Sequence, residues 1–221
     1  MSPGPDPAAG SIARQLDDLG AEVRGRLQAA YEAREVALGA CREAIRRAGL
    51  AIRAEHRDEP ETAAEQREAA VRAVREAQEA LANHPALAAV GFLHDAEKEV
   101  VEASVLPVLL HGGTLPSPEA LAVGQAAWLH GLAEAASEVR RYLLDRLREG
   151  RPEQAEALLR AMEAVYELLV TVDFPDALTA GLRRATDSLR AVLERTRGDL
   201  TTTVAQLRLQ AALERSWGGG A

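Results

Sequence analysis

The sequence is poor in everything that builds strands, disulfides or membrane spans. It holds one cysteine, Cys41, so no intrachain disulfide framework can form. Seven of its 221 residues are aromatic and β-branched residues are scarce. No apolar–polar alternation lasts more than a few positions, so the pattern of a half-buried strand is missing. No apolar run approaches the roughly 20 residues of a membrane helix. There is no Walker loop or dinucleotide fingerprint, and five scattered histidines with one cysteine give no zinc spacing. Lysine is nearly absent too: Lys98 stands alone, and every other cationic residue is arginine. The net charge of −8 argues against a protein that coats nucleic acid indiscriminately, although basic residues gathered on one face remain compatible with it.

What is present favours helix throughout. Alanine, leucine, glutamate and arginine dominate, all strong helix formers. The expected fold class is therefore all-α. Breaks fall at Arg57–Pro60, Asn83-His84-Pro85, Gly112–Pro118, Gly150–Pro152 and Asp173–Pro175. Proline near each helix start and glycine near each stop follow the usual asymmetry. The predicted helices cover about 11–57, 61–82, 86–111, 118–149, 152–171, 176–197 and 199–215. Residues 1–10, rich in Pro, Gly and Ala, read as a disordered lead, 11–215 as one helical domain, and 216–221 as a flexible tail. The cytoplasm is the expected location.

The first helix would run to about 70 Å. Its apolar positions Leu16, Val23, Leu27, Ala30, Leu38, Cys41, Ile45 and Ile52 cluster on one side. A helix of that length outruns a small bundle, so it is expected to meet other subunits. Similar stripes mark Leu158, Met162, Val165 and Leu169, and then Leu178, Leu182, Ala185, Leu189 and Val192.

With the common site signatures gone, carboxylates are left to carry chemistry. Glu99 and Glu102 lie about 60° apart on a face shared with Phe92, Ala103, Leu106 and Leu110. Burying an ionised carboxylate there costs several kcal/mol unless something pairs with it. Either an arginine from a neighbouring helix or a divalent cation would resolve this. Glu134 and Glu138 share a face at i, i+4, opposite the stripe of Leu121, Trp128, Leu132, Val139 and Leu143, and read alone as a solvated face. On the first helix Arg42, Arg46, Arg53 and Arg57 fall within an arc of about 60°. Such an arc could track a phosphate backbone or pair with glutamates of adjacent helices. Arg34 projects with Leu16 and Ile52, and is expected to be buried or interfacial. His56 lies near the same stripe.

Taken in order, the segments Ala33-Arg34-Glu35, Arg53-x-x-His56, Phe92 with Glu99-Val100-Val101-Glu102-Ala103, and Trp128 to Tyr142 resemble the translin family over about residues 11–215. Within that family, Glu99 and Glu102 match the catalytic translin-associated factor X type, whose motif reads Glu-Tyr-Val-Glu-Ala. The family's Gly-Leu-x-Asp-Leu-Thr-Gly-Glu-Leu-x-Arg segment aligns with Gly131 to Arg141, placing its Asp on Glu134 and its Glu on Glu138. The resemblance implies a translin-like bundle of about six to seven helices with a long N-terminal helix. It implies a Mg²⁺- or Mn²⁺-dependent endoribonuclease site at Glu99, Glu102, Glu134 and Glu138. It also implies a homo-oligomer, an octamer, enclosing single-stranded RNA or single-stranded DNA. Arg34, Arg42, Arg46, Arg53 and His56 would then hold the nucleic acid. Glu134 departs from the family's Asp by one methylene. Two other functions stay open: a translin-like RNA or single-stranded DNA binder without activity, and an all-α scaffold in which these charges are ordinary ion pairs.

Overall fold

The computed structural model describes residues 7–218, which form nine helices and no strand. They are α1 (Pro7–Glu55), α2 (Pro60–Leu81), α3 (Pro85–Ala88), α4 (Phe92–His111), α5 (Pro118–Leu121), α6 (Gln125–Arg148), α7 (Pro152–Val170), α8 (Asp176–Thr179) and α9 (Leu182–Gly218). Six are long, and α3, α5 and α8 are single turns of four residues. The expected lead therefore gives way to helix at Pro7, and the expected tail is helical to Gly218. Residues 1–6 and 219–221 lie outside the described part.

Three helices expected to be continuous, 86–111, 118–149 and 176–197, are broken. The segment 86–111 divides before Phe92, with Gly91 as the cap of α4. The segment 118–149 divides at Ala122, which takes a left-handed backbone (φ 55). Contacts remote in sequence fix that turn: Gln78 Nε2 donates to the Ala122 carbonyl (2.7 Å), and the Gly124 amide donates to Glu97 (3.0 Å). Conversely, the break expected near Gly198 does not occur. A helical glycine costs about 1 kcal/mol relative to alanine, and burial of Leu189, Leu193, Thr196 and Leu200 in α9 outweighs it. The chain turns instead at Ala180 and Gly181, both at positive φ.

α1 and α2 form an antiparallel hairpin around a seam of alanines. Ala37, Ala40, Cys41, Ala44, Ala48, Ala51 and Ala54 of α1 face Ala63, Ala70, Ala73, Val74 and Ala77 of α2. Small side chains allow helix axes to approach to the near end of the usual 8–10 Å. A second, leucine-rich core joins α4, α6, α7 and α9 through Val105, Leu106, Leu132, Leu143, Met162, Leu169, Leu189 and Leu193. α4 belongs to both: Leu93, Ala96, Val100 and Ala103 face the alanine seam, whereas Val101, Val105 and Leu106 face the leucine core.

The first half of α1 stands apart. No residue from 11 to 36 is buried, and Ile12, Leu16, Leu19, Val23, Leu27 and Tyr31 are each more than half exposed. Leu16, Val23 and Leu27 of the apolar row thus lie along an uncovered arm, whereas Cys41 is buried, Ile52 packs against both cores, and the seam inside the chain is mainly alanine. No helix among the described residues is long and apolar enough to cross a membrane.

Candidate metal centre

α4 and α6 run in the same direction. Glu97 reaches Gly124, Val101 meets Gly131, and His111 lines one cavity with Tyr142, so contacts ascend together along both helices. They touch at Gly131. A Cβ there would stand 2.5 Å from Val101 Cβ and 2.7 Å from the Lys98 carbonyl oxygen, closer than atoms can approach. Only glycine permits this crossing. It brings the next turns of α6, with Glu134 and Glu138, against Glu99 and Glu102 of α4.

Glu99, Glu102 and Glu134 converge: each offers a carboxylate oxygen, and the three oxygens lie within 4.8 Å of one another. All three side chains are half-buried. Glu138 stands outside this trio and is held elsewhere. His56, just beyond the end of α1, donates from Nε2 to its carboxylate. The His56 ring stacks on Tyr142 with centroids 4.5 Å apart. The face of α6 that read as solvated is therefore turned against α4 and the end of α1.

Lys98, to which sequence reasoning gave no role, lies in the middle. Its Nζ donates to Glu134 (2.8 Å) and stands 3.6 Å from Glu99. Burial pulls its pKa down, but the bond to Glu134 and the fields of Glu134 and Glu99 outweigh it and leave the ammonium above its ordinary value. Its place as the one lysine, in the middle of an acidic run, was the available signal. Burial pushes the Glu99 carboxyl up despite Lys98. Glu102 has no hydrogen-bond or ion-pair partner among the described residues. Burial first, and then Glu134, Glu99 and Glu138, push its carboxyl up to about 8. An unpartnered, half-buried carboxylate beside two others fits a hard divalent cation.

The basic residues are divided. His56 belongs to the centre. Arg42 and Arg53 lie exposed on α1 without an ion-pair partner among the described residues. Arg46 is exposed and forked onto Glu43 (2.6 and 2.8 Å), with Arg47 on the same carboxylate. Arg34, expected to be buried or interfacial, is exposed within the chain and pairs with Glu35 (2.6 Å), because the arm carrying it projects beyond the bundle. In the sequence Gly131 and Tyr142 stood out only as part of the Trp128–Tyr142 segment, with no role of their own, and the buried Glu55 did not stand out at all. Glu55 accepts a bond from His111 Nε2 (2.8 Å) beneath the site.

An all-helical bundle whose parallel α4 and α6 bring three carboxylates, Glu99, Glu102 and Glu134, to one half-buried point is an α-helical protein with an interhelical acidic centre. Known proteins place it more finely. AfC3PO, in a crystal structure and in a structure of its complex with duplex RNA, matches with TM-scores of 0.76 and 0.75 at 34% identity. Both matches span 84% of this chain and 97% of AfC3PO. The chain belongs to the translin family, together with AfC3PO. Apo-NeC3PO shares the fold, with a TM-score of 0.72 at 21% identity over 85% of this chain and 96% of its own. An uncharacterized protein of Methanocaldococcus jannaschii is 32% identical over 127 residues, a match that spans 57% of each chain. No family model matches the chain.

Proposed function

We propose that this protein is a metal-dependent endoribonuclease working as a homo-oligomer, an octamer on the family's pattern. The observation that carries this is the mutual approach of the Glu99, Glu102 and Glu134 oxygens within 4.8 Å, around a carboxylate with no partner. Glu134, longer than the family's Asp, still reaches the cluster. AfC3PO is described in complex with duplex RNA, so the substrate class is RNA, duplex as well as single-stranded.

The donor set is entirely hard oxygen, which suits Mg²⁺ or Mn²⁺. Three carboxylates and one ammonium leave a formal charge of about −2, which a dication would balance. When bound, the ion would supply Lewis-acid polarisation of a phosphate oxygen and a more acidic water. The chain's own residues do the rest. Glu99, Glu102 and Glu134 hold the ion, and Lys98 keeps the Glu134 and Glu99 carboxylates turned inward. His56 fixes Glu138 beside Glu102. Arg42, Arg46 and Arg53, with Arg34 farther out, hold phosphates of the strand, so binding weakens as salt rises. Scarce aromatics offer little base stacking, so sequence specificity is low.

The test is incubation of the purified protein with single-stranded and duplex RNA, with and without Mg²⁺ or Mn²⁺. Cleavage is expected only with the ion. Glu102→Gln should lower it by roughly 100-fold or more while RNA binding persists. Cleavage that survives Glu102→Gln removes the site assignment. The Lys98–Glu134 bond favours a second reading, a binder whose carboxylates are satisfied internally. That reading takes over if RNA is bound and never cut.

A further inference from the structure

One turn before the acidic centre, the same two helices bring a pair of histidines together. His94 lies four residues before Lys98 on α4, and His130 lies four residues before Glu134 on α6. Residues four apart share a helix face, so the pair repeats the Lys98–Glu134 contact a turn earlier along the crossing. The two half-buried rings stand with centroids 5.3 Å apart and planes at 82°. Nε2 of His130 lies 2.9 Å from the Thr179 carbonyl oxygen. A carbonyl only accepts, so Nε2 carries the proton and Nδ1 of the neutral ring keeps a free lone pair. His94 has no hydrogen-bond partner among the described residues. Burial first, and then His130, pull its pKa down; Asp95 and Glu97 oppose this without reversing it, and Lys98 adds to it. The His94 ring is therefore neutral near pH 7, and it too has a lone pair to give.

We propose that His94 and His130 form a site for a tetrahedral transition-metal dication of the zinc class, distinct from the acidic centre. Neutral imidazole suits zinc, whereas the hard oxygens of Glu99, Glu102 and Glu134 suit magnesium or manganese. The separation of the rings fits such an ion. Two imidazoles bound at about 2.0–2.1 Å stand with centroids about 5.2 Å apart at the tetrahedral angle, and about 4.5 Å apart at a right angle. The observed 5.3 Å matches the first. The bond from His130 to a backbone carbonyl is also the usual outer contact of a metal-bound histidine, fixing its tautomer and orientation. Asp95 and Glu97 against Lys98 leave the local field negative, which draws a cation. Water completes the coordination. An ion held here clamps α4 to α6 and, through the Thr179 carbonyl, to the end of α8. The site depends neither on RNA nor on cleavage.

The experiment is calorimetric titration of the full-length protein with Zn²⁺ in excess Mg²⁺, which competes for the acidic centre, followed by Co²⁺ as a spectroscopic probe. One equivalent of Zn²⁺ per chain is expected to bind, and Co²⁺ is expected to show the strong visible absorption of a four-coordinate ion. His94→Ala and His130→Gln should each weaken binding by about 10-fold or more, since even outer-shell partners are worth that much to a metal site. Glu102→Gln should leave it unchanged. Saturating Zn²⁺ should raise the melting temperature of the unaltered protein and of Glu102→Gln, and of neither histidine variant. His94 makes no hydrogen bond among the described residues, so His94→Ala should keep the far-ultraviolet dichroism of the unaltered protein and separate lost binding from lost structure. Absence of saturable Zn²⁺ binding, binding by both histidine variants equal to that of the unaltered protein, or loss of binding in Glu102→Gln alone overturns the proposal. Zn²⁺ binding at the pair without RNA cleavage leaves this site standing and sinks the nuclease reading. Cleavage without Zn²⁺ binding does the opposite.

Discussion

Glu102 concentrates the electrostatic problem of the site into one side chain. Its carboxyl is pushed up to about 8, chiefly by burial, whereas an unfolded glutamate titrates near about 4.3. The folded chain therefore keeps a proton there that the unfolded chain releases. The stability this provides is whole below the unfolded value and is lost as pH climbs through about 8. Glu102→Gln carries no charge to bury. In chelator it should melt several degrees above the unaltered protein near pH 8.5, at about 2–4 °C per kcal/mol for a chain of this size. Near pH 4 the two should converge. A constant difference across that range would show that the buried charge is not its origin. Cys41 is simpler: burial, then Glu97 and Asp95, push its thiol up to about 11. A thiol so placed is a core residue, in keeping with its position on the alanine seam.

At the level of helices, the α4–α6 crossing decides whether the carboxylates meet. Gly131→Ala puts a methyl where Val101 and the Lys98 carbonyl already stand. Overpacking of this kind costs about 1–3 kcal/mol. It should also push α6 off α4, so that cation-dependent cleavage falls further than the loss of folded protein explains. A variant that loses stability but keeps full cleavage per folded molecule would mean the crossing does not set the site. The sequence made much of this level legible, and the failures have identifiable causes. Helices α2 and α7 follow their apolar period and proline starts to within about a turn, because both signals are local. The turn at Ala122 was hidden, since Gln78 and Glu97, remote in sequence, hold it. The continuity of α9 through Gly198 was hidden for the same reason, tertiary burial overriding a local preference. Glu99 and Glu102 stood out as charges on an apolar face. Glu134 and Glu138 did not, because their partners Lys98 and His56 come from α4 and the end of α1. Alanine was the quieter signal: the apolar row of α1 included Cys41 and Ile52, which do reach the seam, but most of that seam is alanine, whose small side chain gives little apolar contrast.

For the whole molecule, that arm sets the terms. It presents Leu16, Val23 and Leu27 to solvent in one row, and such rows on soluble proteins mark interfaces. Leu16→Asp combined with Val23→Asp should reduce the mass found by light scattering while the melting of the bundle core is retained. An unchanged mass would place the subunit contact elsewhere. An isolated helical stretch of about 25 residues is only marginally stable in water by its own hydrogen bonds, since most helical stability comes from packing. Where copies of the chain cover it, part of the folding free energy is collected only on assembly, and the populated form then depends on abundance by mass action. Scarcity would leave a compact bundle with a fraying N-terminal limb open to proteases, and plenty would protect it. The long first helix would thus let the amount of protein in the cell govern its own survival.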